Sequence, residues 1–345
     1  MIDPLQWHEY RAVLHVHSRY SDGTGTVREI IDAAQQAGVD VLWLTDHDTR
    51  QAAREPGPGY YGHVLCLVGM EITPPTNHYL AFGEVPAINA STPLANIIRQ
   101  VAAHGAAGFI AHPEDRGNVV ARLPSYRWTD RDVDGFTGFE IVNHLSDWSR
   151  QITSLGRGLW AVWHPYRGLD EGSQDAMKLW DDWGRRRRVV GIGGTDAHQA
   201  RVAGLRIFPY VVSFTGIRTH LYTAEPLPHD WHAAESLLLD ALKAGRVSVV
   251  NAHVGRELGF RLWAERHGDR IEPMGSEICY SPGWKLCGLA PVPVLWDLYH
   301  QGQQRASETG TLFQWPITAP GVWRVVLRRG PKRAAWIYSN PIYMR

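Results

Sequence analysis

Imidazoles and carboxylates recur in short groups along the first 200 residues: His15-Val16-His17, Asp22, Asp46-His47-Asp48, Glu71 with His78, His112, and Asp196-Ala197-His198. In extended backbone, residues i and i+2 point to one side, so His15/His17 and Asp196/His198 can each reach a single ion. A carboxylate such as Glu71 can bridge two cations, one on each oxygen. Imidazole and carboxylate donors without thiolates suit Zn, Mn or Fe. So many donors point to two or three divalent ions. Such a cluster generates hydroxide near neutral pH and clamps the attacking and leaving oxygens of a phosphoryl displacement. Asp22-Gly23, taken alone, is a turn signal.

Most of these groups stand where an apolar run stops. AVLHV (12–16), VDVLWLT (39–45), HVLCLVG (63–69), GFIAH (108–112), GFEIVN (138–143) and VVGIGGTDAH (189–198) read as strands. Between them lie helical patterns. Thr26-x-x-Glu29 is a capping box, and the helix it opens stops at Gly38. Another helix opens at Thr92-Pro93, and AESLLLDALKAG (234–245) is a further one. Strands alternating with helices imply an α/β fold with parallel pairing, here a barrel over residues 1–250. Ionisable residues at the C-terminal mouths of its strands are poorly explained by stability, because burying them is costly unless they are paired or metal-bound. Beyond residue 250 only short strand-like pieces separated by Gly and Pro follow. That pattern predicts a small antiparallel β-sandwich over 251–345.

Composition narrows the function. Of 345 residues, 35 are Lys or Arg and 35 Asp or Glu, so the net charge is zero. No basic footprint marks an extended nucleic-acid partner. No apolar run approaches the roughly 20 residues needed to span a bilayer. The three cysteines form no CxxC pair, and the N-terminus has no leader pattern, so a soluble cytoplasmic protein is expected. Of the remaining histidines, His104 reads as a packed or capping residue. His144 and His164 follow apolar runs and are weighed as substrate contacts. Six tryptophans between 128 and 183 read as core or cap packing, or as a wall of the pocket.

The segments LHVHSRYSDGTG, WLTDHDT, GMEIT with NHYL, IAHPED and GGTDAH resemble, in order, the motifs of the PHP (polymerase and histidinol phosphatase) superfamily. The tail PGVWRVVLRR with AAWIYSNPIYMR resembles the C-terminal module of PHP hydrolases of the CehA/McbA type. The resemblance implies a distorted seven-stranded α/β barrel with a metal cluster at its C-terminal mouth. It implies one metal on His15, His17, Glu71 and Asp196. Glu71 would bridge to a second on His78 and His112, and Asp22, His47 and His198 match a third site. Asp46 is then expected to orient a ligand imidazole through a hydrogen bond. Catalysis is expected to rest on Glu71, Asp196, His198, Asp46 and Arg201.

The function expected is a metal-dependent phosphoesterase acting on a small phosphorylated molecule. An ester, carbamate or amide hydrolase on the same cluster is the alternative, and a non-catalytic, metal-stabilised partner-binding module the third reading. Arg201, Arg206 and Arg19 are candidates for the phosphate, since the planar guanidinium can bind two phosphate oxygens at once.

Overall fold

The computed structural model describes residues 4–121, 123–202, 205–268 and 270–345, with the backbone alone at 201, 202 and 205. The first strand β1 (His8–Val13) is followed by helix α1 (Val27–Ala37), strands β2 (Val41–Leu44), β3 (Val64–Val68), β4 (Met70–Ile72) and β5 (Tyr79–Phe82), and helix α2 (Leu94–Ala103). Then come β6 (Ala107–Ile110), β7 (Gly138–Asn143), helices α3 (His144–Ser149), α4 (Leu155–Val162) and α5 (Gln174–Arg186), and β8 (Val190–Gly194). Local rules account for α1. Thr26 accepts from the Glu29 N–H, the Glu29 side chain answers the Thr26 N–H, and Gly38 ends the helix with φ 67°.

These strands lie in two sheets. β1, β2 and β3 pair in parallel within a 14-stranded sheet; β4 to β8 form a five-stranded sheet, antiparallel through β4–β5–β6 and parallel through β6–β7–β8. The two sheets meet at two seams, and no closed barrel forms among the described strands. At the first seam the chain bends between β3 and β4 at Gly69, where a Cβ would lie 2.3 Å from the Ala81 carbonyl oxygen. Only glycine fits so close a crossing. At the second, the His17 N–H donates to Ala197 O and the Thr195 N–H to Leu14 O, both at 3.0 Å.

Past α5 and β8, strands β9 (Ile217–Thr223) and β10 (Val247–Asn251) flank a helix, Trp231–Ala244. Every further described element is a strand, chiefly β11 (Trp284–His300), β12 (Gln303–Pro316), β13 (Gly321–Arg329) and β14 (Ala334–Ser339), paired antiparallel. β14 pairs with β10, and β9 with β1, so one sheet runs across residue 250. The register of β11 against β12 shifts between Leu289 and Val294. Pro291 and Pro293 lie in that gap and cannot donate to a ladder. A core of Trp284, Trp296, Trp323 and Trp336 with aliphatic neighbours fills the C-terminal sheet. No helix among the described residues is long and apolar enough to cross a membrane.

Candidate metal centre

The loops leaving the strands converge on one carboxylate, Glu71, at the start of β4 beside the bend at Gly69. It is fully buried. Its Oε2 lies 3.1 Å from His15 Nε2, 3.3 Å from His17 Nε2 and 3.1 Å from His47 Nδ1. Its Oε1 lies 3.0 Å from His78 Nδ1 and 3.2 Å from His112 Nε2. The two oxygens thus face two separate sets of imidazoles. Asp196 Oδ1 lies 3.4 Å from His15 Nε2 and 3.3 Å from His17 Nε2, which places it on the Oε2 side. Asp22 closes the open edge, 3.1 Å from His198 Nε2 and 3.4 Å from His47 Nε2. Three sets of donor atoms lie within 4.8 Å of one another: His17, Asp22, His47 and His198; His15, His17 and Asp196; and His15, Glu71 and His112.

All nine residues named from the resemblance therefore come together, though not as strand alternation predicts. β1 stops at Val13, and His15 follows with φ 63°. His112 and Asp196 also have positive φ, 25° and 52°. Non-glycine residues enter this region at a cost and are held there by their surroundings. The His15 and His17 rings, with centroids 5.1 Å apart, converge through a left-handed bend past the strand end.

Do these residues fit cations? Both ring nitrogens of His17 are buried without an aligned hydrogen bond, as are Nδ1 of His47 and Nδ1 of His112. A buried imidazole without an aligned hydrogen bond is costly, and a cation accepting its lone pair removes part of that cost. The donor set is imidazole and carboxylate with no thiolate, which fits Zn, Mn or Fe. The electrostatics agree. Burial opposes ionisation of Glu71, but the surrounding imidazoles, His15 foremost, outweigh it and hold the carboxyl well below its usual range. Burial also opposes charge on His47 and His112. The carboxylates Asp22 and Glu71 outweigh it for His47 and raise it to about 10; Glu71 raises His112 to about 9. The site is thus a place where positive charge is favoured.

The orienting carboxylate is not the one expected. Asp46 accepts from the Ser18 N–H, the Ser18 hydroxyl and the Ser21 hydroxyl, all at 2.7 Å, so it ties down the loop that carries Asp22. The backbone turns its carboxylate towards these hydroxyls rather than towards a ring. Glu140, which sequence reasoning missed, fills the role. Its Oε1 is 2.8 Å from His15 Nδ1, and its Oε2 accepts from the His112 N–H at 2.7 Å and from Asn143 at 2.9 Å. A Cβ at residue 194 would lie 1.8 Å from that Oε1, so Gly194 makes room for the contact. The signal was present in the sequence: one carboxylate inside the otherwise uncharged strand GFEIVN must find a partner if buried.

The phosphate arginines fare differently. Arg206 is exposed and lies 3.4 Å from Glu29, and Arg19 is exposed beside Tyr20; neither lines the cavity over the cluster. The side chain of Arg201 lies outside the described residues, although Ala200 lines the cavity. His144 is buried against backbone carbonyls of Pro165 and Ser213, and burial lowers it to about 4. His164 is exposed and stacks on Trp160. His104 caps α2, its Nδ1 on the Gln100 carbonyl. Of the tryptophans, Trp128 and Trp183 pack with Phe136 and Phe139, whereas Trp148 lines the cavity. That cavity holds about 400 Å³ and has the cluster as its floor.

Comparison with known proteins gives three findings. Residues 14–107 match the family model of the PHP domain. Over 47 residues the chain is 49% identical to the Phosphoribosyl 1,2-cyclic phosphate 1,2-diphosphodiesterase of Eggerthella lenta, a match that covers 13% of this chain and 18% of that relative's length. Among solved structures, a two-domain protein from Bacteroides vulgatus, described as containing a predicted PHP-like metal-dependent phosphoesterase, aligns at 14% identity over 97% of this chain and 96% of its own, with a TM-score of 0.47. PsfC from Pseudomonas syringae aligns at 14% identity over 67% and 88%, with a TM-score of 0.42.

Proposed function

We propose, from the premise that residues 14–107 form a PHP domain, that this chain is a metal-dependent phosphoesterase acting on a small phosphorylated molecule at the cluster around Glu71. The observation that carries the proposal is the convergence of buried imidazole and carboxylate donors on Glu71, with the ring nitrogens of His17 buried among them without an aligned hydrogen bond. Divalent ions held there supply Lewis acidity and lower the pKa of water.

The residues divide the work of binding. Glu71, with oxygens facing two sets of imidazoles, would serve two ions at once. His15, His17 and Asp196 would hold one with it, His78 and His112 a second, and Asp22, His47 and His198 a third. Glu140 fixes the His15 ring so that Nε2, not Nδ1, faces the cluster. Arg201, beside the cavity-lining Ala200, remains the candidate for a phosphate oxygen. Two or three bound ions and a phosphate monoester or diester are the terms of this reading.

The test combines elemental analysis with hydrolysis of a panel of phosphomonoesters and phosphodiesters, before and after chelation. Bound metal and chelator-sensitive turnover support the reading. Metal-loaded protein that cleaves no phosphoester would overturn it. A carboxylic ester or carbamate hydrolase is the second reading, favoured by one observation, the apolar walls of the cavity. The same panel extended to uncharged esters separates the two.

A further inference from the structure

The floor and the walls of the cavity differ in kind. The floor is Glu71, Asp196, Asp22 and the imidazoles. The walls include Leu123, Leu145, Trp148, Ile152, Ile207 and Phe208, brought from three separate segments of the chain. Trp148, Ile152 and Phe208 pack as one cluster with Leu145 and Ile207 against them.

Asp115, Tyr126, Ser146 and Gln199 line other parts of the cavity, whereas on the apolar side the polar atoms of Trp148 and Ser149 are used elsewhere. The Trp148 indole N–H donates to the Ala161 carbonyl at 2.9 Å, and the Ser149 hydroxyl to the Ser146 carbonyl at 3.0 Å. What the wall offers a ligand there is ring face and methyl groups. It is also a built feature. Phe208 has φ 55°, and its ring is held by Trp148 at 5.0 Å and His144 at 4.7 Å between centroids. Asn118 donates to the carbonyls of Ser149 and Ile152, at 2.6 and 3.0 Å, and so pins the segment bearing Leu123 against the helix bearing Trp148.

We infer that this wall is the recognition site for an uncharged apolar group, aromatic or branched aliphatic, carried on the substrate next to the bond that is cleaved. The inference rests on the reading of the cluster as a hydrolytic centre and adds the substrate class. A cavity of roughly 150 Å³ accommodates benzene. The 400 Å³ here accommodates a ring of that size together with the reacting head group over the floor. A ribosyl group seated on the apolar side would set hydroxyls against Ile152, Phe208 and the Trp148 ring with no partner there. Each hydroxyl so buried costs on the order of ten-fold in affinity. Each methylene of an apolar group gains roughly three- to four-fold.

The test is calorimetric titration of the Mn-loaded 345-residue chain with methyl-, propyl-, phenyl- and 1-naphthylphosphonate and with ribose 5-phosphate. Binding, rather than turnover, is read. Affinity climbing along the phosphonate series, with ribose 5-phosphate below phenylphosphonate, supports the inference. Leu145→Gln should flatten that climb, and Leu123→Gln, at the more exposed rim, should flatten it in part without a folding penalty. A flat series in the parent protein, or tightest binding of ribose 5-phosphate, overturns the inference. If no phosphonate binds but N-alkyl acetamides of rising size do, with the same climb, the apolar site stands and the phosphoesterase reading falls.

Discussion

Two regions of this molecule bury charge, and they do so in opposite ways. Where the C-terminal sheet meets the rest of the chain, the two buried carboxylates Asp181 and Glu9 have their cationic partners in place. Arg324 donates to both oxygens of Asp181 at 2.8 and 2.7 Å, and Glu9 accepts from His220 at 2.8 Å and from Arg261 and the Gly259 N–H at 2.7 Å. Around Glu71 imidazoles and carboxylates crowd together, and four nitrogens of His17, His47 and His112 lie buried without an aligned hydrogen bond. A closed network is a structural element, since it needs nothing from outside. One whose donors converge without aligned partners is a candidate for completion by a bound ion.

The sharpest way to break this comparison is to alter the bridging carboxylate. Glu71→Gln should lose turnover by well over the roughly 100-fold that an outer partner of a metal ligand costs. It should also bind less metal, measured by elemental analysis. A variant with full metal content and full turnover shows that the open network is not a metal centre. On the closed side, Arg324→Ala strands the Asp181 carboxylate and should destabilise the fold by about 3–5 kcal/mol. Chemical denaturation reads that loss, while metal content per folded molecule should hold. Loss of metal in step with stability would mean that the two regions are not independent.

Glu140→Gln tests the link between the His15 ring and its anchor. Metal affinity should fall roughly 10- to 100-fold with the fold intact, read by competition with a chromophoric chelator. Beside the cluster, Asp147 offers a smaller effect. Burial raises its carboxyl to about 7, although Arg150 partly offsets this. Between pH 4 and 7 the unfolded chain has therefore already lost a proton that the native state keeps, so this group makes stability fall as pH rises through that window. Asp147→Asn should remove the slope and raise Tm at pH 8 relative to the parent. An unchanged pH profile would show that Asp147 is solvated. Smallest of all, His104→Ala removes only a capping contact and should leave metal content unchanged.

Much of the site was legible because its parts lie at strand ends, where short motifs keep their residues together. The capping box at Thr26 and the carboxylates and imidazoles after VLWL and GFIA could be read from a few neighbours each. The orienting role was assigned to Asp46 because it adjoins His47 in sequence. The structure shows that adjacency along the chain was a poor guide, since side-chain direction past a strand end depends on backbone turns that a motif does not specify.

The amino-acid sequence by itself determined six of the strands and two of the helices before residue 200, and the strand-only character of the tail, whereas Tyr79–Phe82 and the helices of residues 144–186 went unread. Those that were read follow from hydrophobic period and cap residues, which act over a few positions, and the residues that converge on Glu71 were named from donor chemistry together with the PHP resemblance. Tertiary structure alone decided that Glu140 steadies His15, that Arg206 turns to Glu29, that one sheet runs through residue 250, and that Leu123, Trp148 and Phe208 share a wall. The reason is range. These contacts join residues tens to more than a hundred positions apart, and several depend on left-handed backbone at His15, Asp196 and Phe208, which only the surrounding packing can impose.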